Sequence, residues 1–328
     1  MPVAAVQPVP PLWRELGKSV SDLLLKDYPV RGTSIEVKTS SKPVTFRVAG
    51  NRDIKSTAIA GDLEGKYVDS KNGIAFTQIW TTANKLATKI ECENQIAKGL
   101  MLDLTTILNQ PTAQRGAIFI ATYKLSSLHA QVTADSLKRS AVVIATYKQP
   151  SFHTQATVNL FKGPTFTSNV VLGRDSALVG AEATYDASSC IISRYAGAIG
   201  YTTSDYAITI HALGNLRTFS ASYYHKASKY VEVGAKAVYD TKSTTGDVAL
   251  EFGSKFTLKH DPANKLKTAN ASVKLKINNA GLLSASYAQP FRPGVKATLG
   301  LTLDTQRLHS GSSRTAAHKI GAALILNS

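Results

Sequence analysis

Long apolar runs are missing from this chain of 328 residues. No stretch approaches the ~18 consecutive apolar residues that a membrane-spanning helix requires. Hydrophobic residues make up 43% of the sequence, and the mean hydropathy of −0.07 is ordinary for a soluble protein. These values exclude a helical membrane protein. They leave a transmembrane β-barrel open, because lipid-facing and lumen-facing residues alternate along each barrel strand and their hydropathies cancel.

Cysteine is scarce and catalytic signatures are missing. Cys92 and Cys190 are far apart and in no metal-binding spacing, so we expect free thiols in a reducing compartment. The patterns HExxH, CxxC and GxSxG do not occur. Gly17-Lys-Ser19 ends like a phosphate-binding loop, but Leu12 occupies the position of that motif's first glycine. We therefore predict that the protein is not an enzyme and uses no cofactor or metal.

Acidic residues are few relative to basic ones. The chain has 38 Lys and Arg residues against 22 Asp and Glu residues, which gives a formal net charge of +16. This balance favours an anionic partner. The basic residues are spread along the chain without a Lys/Arg-rich block, a distribution that argues against nucleic acid as a partner and suits an electropositive cavity.

The dominant pattern is alternation of apolar and polar residues. Val295–Asp304 has apolar residues at every odd position and polar or small residues at every even position, which is typical of a β-strand with one apolar and one wet face. Ten residues tilted by roughly 45° also cross the hydrocarbon core of a bilayer. Outside 115–160, this pattern predicts strands near 33–39, 43–50, 55–69, 73–81, 84–92, 99–107, 164–173, 177–185, 191–203, 206–213, 217–226, 230–240, 248–260, 268–278, 282–291, 295–304 and 317–326.

An internal duplication supplies further strands. The sequence AIFIATYK at 117–124 recurs 24 residues later as AVVIATYK at 141–148, and each copy reads strand, turn, strand. About 21 strands then follow, too many for an open sheet, which usually curls or splits beyond ~10 strands. Closure removes the sheet edges and satisfies every backbone group in lipid. The sequence therefore predicts an all-β transmembrane barrel over residues 32–328.

The N-terminal residues 1–31 form a separate predicted unit. Residues 1–11 are rich in proline, and the period then becomes helical over 12–27, with apolar residues on one stripe and basic residues on another. Acidic residues within this helix argue against a cleavable mitochondrial presequence. We expect the apolar stripe to pack on the barrel wall, although a basic amphipathic helix can also lie on a membrane surface.

Several segments resemble the mitochondrial porins, or voltage-dependent anion channels, in the right order along the chain. They are residues 10–26 (PPLWRELGKSVSDLLLK), 73–84 (GIAFTQIWTTAN), 185–196 (YDASSCIISRYA, similar to fungal members), 278–294 and 318–326. The resemblance implies a barrel of 19 strands, a helix inside the pore and the mitochondrial outer membrane as the location. It also implies passage of ATP, ADP, phosphate and chloride.

The chain departs from this family pattern in three places. Residues 115–139 have no counterpart, so either 21 strands or a hairpin bulging out of a 19-stranded wall is expected. Short insertions near 259–267 and 309–316 are predicted to be loops. Gln78 stands where animal members carry a membrane-facing glutamate.

Lumen charge is the predicted basis of function, because rings of Lys and Arg select for anions. Carboxylates share the polar phase of the strands, so we expect weak selectivity. The residues predicted to line the pore are Arg14, Lys18, Lys26, Lys98, Lys236, Lys274, Lys276 and Lys296. The closing segment also resembles the C-terminal sorting signal of mitochondrial barrels through Lys319, Gly321, Leu324 and Leu326.

The predicted function is a voltage-gated, weakly anion-selective channel of the mitochondrial outer membrane. Its expected partners are the lipid bilayer, anionic metabolites including nucleotides, and the barrel-insertion machinery; a homo-oligomer stays open. Two alternatives remain: a related barrel that imports proteins, and a soluble basic β protein that binds acidic polymers.

Overall fold

The computed structural model describes residues 9–30, 32–54, 56–161, 163–242, 247–258, 271–306 and 318–328. The predicted insertions at 259–267 and 309–316 lie outside these ranges. The described strands are β1 (Gly32–Ser41), β2 (Val44–Asp53), β3 (Ile59–Asp69), β4 (Ile74–Thr81), β5 (Lys85–Glu93), β6 (Leu100–Asn109), β7 (Gln114–Lys124), β8 (Leu128–Asp135), β9 (Ser140–Gln149), β10 (Phe152–Asn159), β11 (Thr165–Arg174), β12 (Ala177–Asp186), β13 (Ile191–Thr202), β14 (Tyr206–Leu213), β15 (Thr218–Lys226), β16 (Val231–Asp240), β17 (Val248–Thr257), β18 (Ser272–Asn278), β19 (Leu282–Arg292), β20 (Val295–Asp304) and β21 (Lys319–Asn327).

These strands close into one barrel. Each described strand pairs antiparallel with the next in sequence, and β1 pairs in parallel with β21, from Thr33 opposite Ala322 to Lys38 opposite Asn327. A meander with an odd number of strands begins and ends in the same direction, so its closing pair must be parallel. Closure gives every described strand two neighbours and leaves no sheet edge.

The duplicated hairpin is part of the wall. β7 and β8 are inserted between β6 and β9, with Ile118 opposite Thr105 on one side and Asp135 on the other. The barrel therefore has 21 described strands, two more than the resemblance implies. The alternative of a hairpin bulging out of the wall is wrong, because β7 pairs with β6 and β8 pairs with β9 along their lengths. A two-strand insertion also preserves the direction of every later strand.

The barrel is apolar outside and polar inside, the reverse of a soluble domain. On β20, the outward Leu299 is 56% exposed, whereas the inward Thr298 is 5% exposed. Large apolar side chains such as Trp80 and Ile199 are exposed on the same outward phase. An apolar belt of this extent requires hydrocarbon around it, so the alternative of a soluble β protein is wrong. Gln78 also lies on the outward phase of β4, opposite Gly65.

The predicted single helix over 12–27 is two shorter elements. A 3₁₀ helix covers Trp13–Glu15, and an α-helix, α1, covers Lys18–Leu25. Gly17 interrupts them with a left-handed φ of 73°, a conformation that glycine adopts without a Cβ penalty. None of the helices in the described part of the chain is long and apolar enough to cross a membrane.

Candidate functional site in the barrel lumen

Residues 9–30, here called the N-terminal segment, lie inside the barrel and follow its wall from strand to strand. The Pro10 carbonyl oxygen is 2.8 Å from His153 Nδ1 on β10. The 3₁₀ helix contacts β11 and β12, and α1 contacts β15, β16 and β17. Pro29 then passes over β20 and β21. We call β10–β21 the covered wall and β2–β9 the open wall.

The apolar side of the N-terminal segment packs on the covered wall, as predicted. Trp13 and Leu16 form one buried cluster with lumen-facing Val171 on β11 and with Ala196 and Ala198 on β13. Val20 and Leu24 of α1 are 1% exposed each. At about 25 cal/mol per Å² of apolar surface, burying side chains of this size stabilises the seated segment by about 2 kcal/mol each.

Lumen-facing glycines make room for this packing. A Cβ at Gly234 would lie 2.8 Å from Leu23, and one at Gly253 would lie 2.6 Å from Leu24. A Cβ at Gly300 or Gly321 would lie 2.3 Å from the Pro29 carbonyl oxygen. Of these four glycines, only Gly321 was predicted from the sequence to have a role, as part of the sorting signal; the packing role of all four was missed. Their signal was available, since a glycine on the polar phase of a strand often marks close approach of another backbone.

Asp27 anchors the C-terminal end of the segment to the wall. Lys274 Nζ donates to Asp27 Oδ2 at 3.1 Å and to the Lys26 carbonyl at 3.2 Å. Lys296 Nζ lies 3.3 Å from Asp27 Oδ1, and the Ser286 hydroxyl donates to the Asp27 carbonyl oxygen. Three strands, β18, β19 and β20, therefore converge on one residue that the sequence analysis treated only as an acid in a helix.

Electrostatics keep this anchor charged at neutral pH. Burial alone would raise the pKa of the Asp27 carboxyl, but the hydrogen bond and charge of Lys274, joined by Lys296, hold that pKa below its ordinary value of 3.8. Next to it, burial and the Asp27 charge raise the pKa of Tyr28 to about 12. Lys276 Nζ lies over the neutral Tyr28 ring, 4.9 Å from its centroid, in a cation–π contact.

The predicted pore-lining residues divide into three groups. Lys274, Lys276 and Lys296 lie on the lumen phase and hold Asp27 and Tyr28. Arg14, Lys18 and Lys26 belong to the N-terminal segment; Arg14 donates to Gln155 at 3.0 Å, Lys18 lies 3.7 Å from Glu15, and Lys26 lies 2.7 Å from Asp22. Lys236 faces the lumen on β16, opposite Glu251, whereas Lys98 lies in the exposed turn between β5 and β6.

The open wall carries charge in mixed pairs. Arg47 on β2 lies 2.9 Å from Glu36 and 2.9 Å from Asp62. Lys66 lies 2.8 Å from Glu91, and Lys89 pairs with the same carboxylate. Cations and carboxylates of this wall therefore compensate one another, and its net field is weaker than the count of lysines suggests.

The predicted sorting residues have a structural role of their own. Lys319 and Gly321 are on the lumen phase of β21, and Leu324 and Leu326 are on the lipid phase. Gly321 lies under Pro29, where a Cβ would be 2.3 Å from the Pro29 carbonyl oxygen, so a glycine at this position makes room for the N-terminal segment.

The lumen presents charged and polar side chains to the space inside the barrel. Within the described ranges, no group of three or more His, Cys, Asp or Glu side chains is placed to hold a metal ion. The side chains that converge in the lumen are ion pairs and anchors between the segment and the wall. Such an arrangement can attract, repel and sterically limit solutes.

Comparison with known proteins agrees with this geometry. The family model of the eukaryotic porins matches residues 9–146 and 126–321, and the two stretches overlap in the duplicated region. The chain is 36% identical over 320 residues to the mitochondrial outer membrane protein porin of Neurospora crassa, covering 97% of this chain and 99% of that protein. It is 33% identical over 317 residues to the porin of the same name from Candida albicans, covering 96% and 98%. It is 29% identical over 319 residues to the non-selective voltage-gated ion channel VDAC2 of Meleagris gallopavo, covering 97% and 94%.

Proposed function

Because this chain belongs to the eukaryotic porin family, we propose that it is a voltage-gated, weakly anion-selective channel for small metabolites. Its membership and its closed barrel make it a channel of the mitochondrial outer membrane, surrounded by lipid. Beyond this general channel function, we propose that the pore prefers anions, is gated by voltage, and passes ATP, ADP, phosphate and chloride.

The lumen charge of the covered wall carries the proposal of anion preference. From β16 to β21, the lumen-facing cations are Lys236, Lys255, Lys274, Lys276, Lys296 and Lys319, and the lumen-facing carboxylates are Glu232, Asp240, Glu251 and Asp304. A wide barrel holds water in its lumen. An excess of cations there attracts anions, while the interspersed carboxylates keep the preference weak.

Within this set, we assign direct contact with permeating anions to Lys18, Lys26, Lys236 and Lys276. The Lys18 and Lys26 side chains are 56% and 61% exposed, and their ion pairs with neighbouring acids are weak at such exposure. Lys274 has a side chain that is 8% exposed, so its contribution is to hold the segment. Arg14 on the segment, Lys98 at the rim and Lys296 on the wall contribute to the positive electrostatic potential of the lumen without direct contact with the anions.

Movement of the N-terminal segment is the proposed response to voltage. The segment carries Arg14, Lys18 and Lys26 inside the membrane field, where one charge crossing 100 mV changes the energy by ~2.3 kcal/mol. Seating depends on the apolar contacts and the Asp27 anchor described above. We propose that a few displaced charges are sufficient to shift the balance between seated and displaced states.

Two further assignments come from the resemblance. We propose that Lys319, Gly321, Leu324 and Leu326 are read by the mitochondrial barrel-insertion machinery. A protein-import pore is the less favoured alternative, because the segment occupies lumen space along the covered wall and the mixed charges suit small ions.

Single-channel recording of the refolded full-length protein in a planar bilayer under a KCl gradient tests the proposal. We expect a voltage-gated conductance with a reversal potential that favours chloride, and a shift toward potassium in Lys236→Glu combined with Lys276→Glu. Lys138→Glu is the matched control, since that side chain is 81% exposed in a turn outside the lumen. A cation-selective wild-type pore, or the same shift from the control, would contradict a lysine-lined selectivity site.

A further inference from the structure

The open wall carries an apolar patch that faces the lumen. On β7, Ile118 and Ile120 share the lumen phase, since they lie opposite Thr105 and Asp103. On β9, Val142 and Ile144 share that phase. All four side chains are partly exposed. Aliphatic side chains facing a water-filled lumen are unfavourable unless another apolar group covers them.

The patch is a product of the internal duplication. Ile118 and Ile120 of the first copy occupy the same positions as Val142 and Ile144 of the second, 24 residues later. Thr133 on β8 lies between them, paired with Ile120 on one side and Val142 on the other. The added hairpin therefore doubled an aliphatic pair into a patch that spans three strands.

On the covered wall, comparable lumen-facing aliphatic residues are covered by the N-terminal segment. Val171 is 0% exposed beneath Trp13 and Leu16, and Leu178 and Leu213 pack against the same cluster. Followed backward from Pro29 to Pro10, the segment contacts strands of decreasing number, from β21 to β10. The next strand in this order is β9.

The composition and length of those residues fit the patch. Residues 1–8 read MPVAAVQP and contain no charged side chain. Lys148 pairs with His153, which holds Pro10, and Ile144 lies four residues below Lys148 on β9. With ~3.4 Å per residue along β9 and ~4.8 Å between β9 and β10, Ile144 is about 14 Å from His153. Val6 is four residues before Pro10, a reach of about 13 Å in extended chain.

We propose that residues 3–6, Val-Ala-Ala-Val, dock on the lumen-facing patch of Ile118, Ile120, Val142 and Ile144. The tail then extends the cover of the N-terminal segment onto β9 and β7, and the duplicated hairpin forms its receptor. This inference needs the barrel and its wet lumen but not anion selectivity, so a failed selectivity test leaves it intact.

Thiol labelling of single cysteines tests the docking in the full-length refolded protein. The background carries Cys92→Ala and Cys190→Ser, because both natural thiols are free. Ile144→Cys reports the patch, and Ile79→Cys is the matched control, an aliphatic lumen residue on β4 opposite Glu64. Labelling uses a charged, water-soluble maleimide and compares the intact tail with two variants: deletion of residues 2–8, and Val3→Ser combined with Val6→Ser.

With the intact tail, we expect Ile144→Cys to react at least about fivefold more slowly than in either tail variant, because a covered thiol is shielded from the reagent. Ile79→Cys should react at one rate in all three proteins. Equal rates at Ile144→Cys would overturn the proposal, and slow labelling in all three would assign the cover to another group.

A disulfide cross-link supplies a second measurement that does not depend on labelling rates. In the same background, Val6→Cys with Ile144→Cys should form a disulfide under mild oxidation and migrate as a closed loop on a non-reducing gel. Val6→Cys with Ile79→Cys should not. Equal cross-linking of both pairs would indicate an undocked tail and overturn the proposal.

Discussion

The covered and open walls of the lumen use the same alternating strands in different ways. The lumen phase of the covered wall has glycines where the N-terminal segment packs most closely on it, and its Lys274 is nearly buried beneath Asp27. The open wall places long charged residues on that phase and pairs them with one another, as in the contacts of Arg47 with three carboxylates. A wall that meets protein therefore needs shape complementarity, whereas a wall that meets water needs solvated or paired charge.

This comparison predicts which lumen residues are sensitive to added volume. The largest effect is expected from Gly321→Val, because even a Cβ would lie 2.3 Å from the Pro29 carbonyl and 2.7 Å from the Gly32 carbonyl. Neither contact is with a flexible side chain, so the backbone at Pro29 must leave the wall. We expect a cost on the order of 3 kcal/mol or more for the seated state.

Fluorescence measures this release. In a Trp80→Phe background, Trp13 is the remaining tryptophan of the two in the chain, and it is 9% exposed when seated. Gly321→Val should shift Trp13 emission to the red. Gly197→Ala is the control, since a Cβ at Gly197 meets nothing within 4 Å. An unshifted spectrum in Gly321→Val would show that the backbone at Pro29 tolerates the added volume and that glycine is not required at position 321.

The outer architecture was predictable from sequence, and the inner arrangement only in part. Alternation depends on neighbouring residues alone, so strands such as Val295–Asp304 were predicted with their observed bounds. The break at Gly17 and the anchor at Asp27 depend on contacts with β15 and with β18–β20, far away in sequence. Helical periodicity cannot report such contacts, which is why the helix was predicted too long at both ends.

A smaller effect is expected from removing the anchor charge. Asp27→Asn deletes the carboxylate that faces Lys274 and Lys296 and leaves a largely buried ammonium with the Lys26 carbonyl as its described acceptor. The expected cost is about 1–3 kcal/mol for the seated segment. It should appear as a lower denaturant midpoint for the Trp13 signal and as closure at lower voltage. Asp22→Asn is the control, since its partner Lys26 is 61% exposed; equal effects of the two changes would argue against an anchor at Asp27.

Acid should weaken the same anchor in a defined direction. The pKa of Asp27 in the folded protein lies below its ordinary value of 3.8, so ionised Asp27 stabilises the seated state above that value. This stabilisation is lost as the pH falls through the lower, folded-state pKa. Trp13 emission should therefore be constant from pH 7 to about 4 and shift to the red below it. The acid shift should shrink in Asp27→Asn; an undiminished shift would assign it to other carboxyl groups.

The smallest effect concerns the width of the pore and separates the two hairpin copies. Deleting residues 115–138 or residues 139–162 removes one 24-residue unit and leaves 19 of the 21 strands. Barrel diameter grows roughly linearly with strand number, so either deletion should lower open-state conductance by about a fifth. Deleting the second copy also removes His153 and Gln155, which hold Pro10 and Arg14, but His129 and Gln131 of the first copy then occupy equivalent positions. We therefore expect both deletions to keep Trp13 buried, whereas red-shifted emission in the second alone would show that the copies have diverged in their contact with the N-terminal segment.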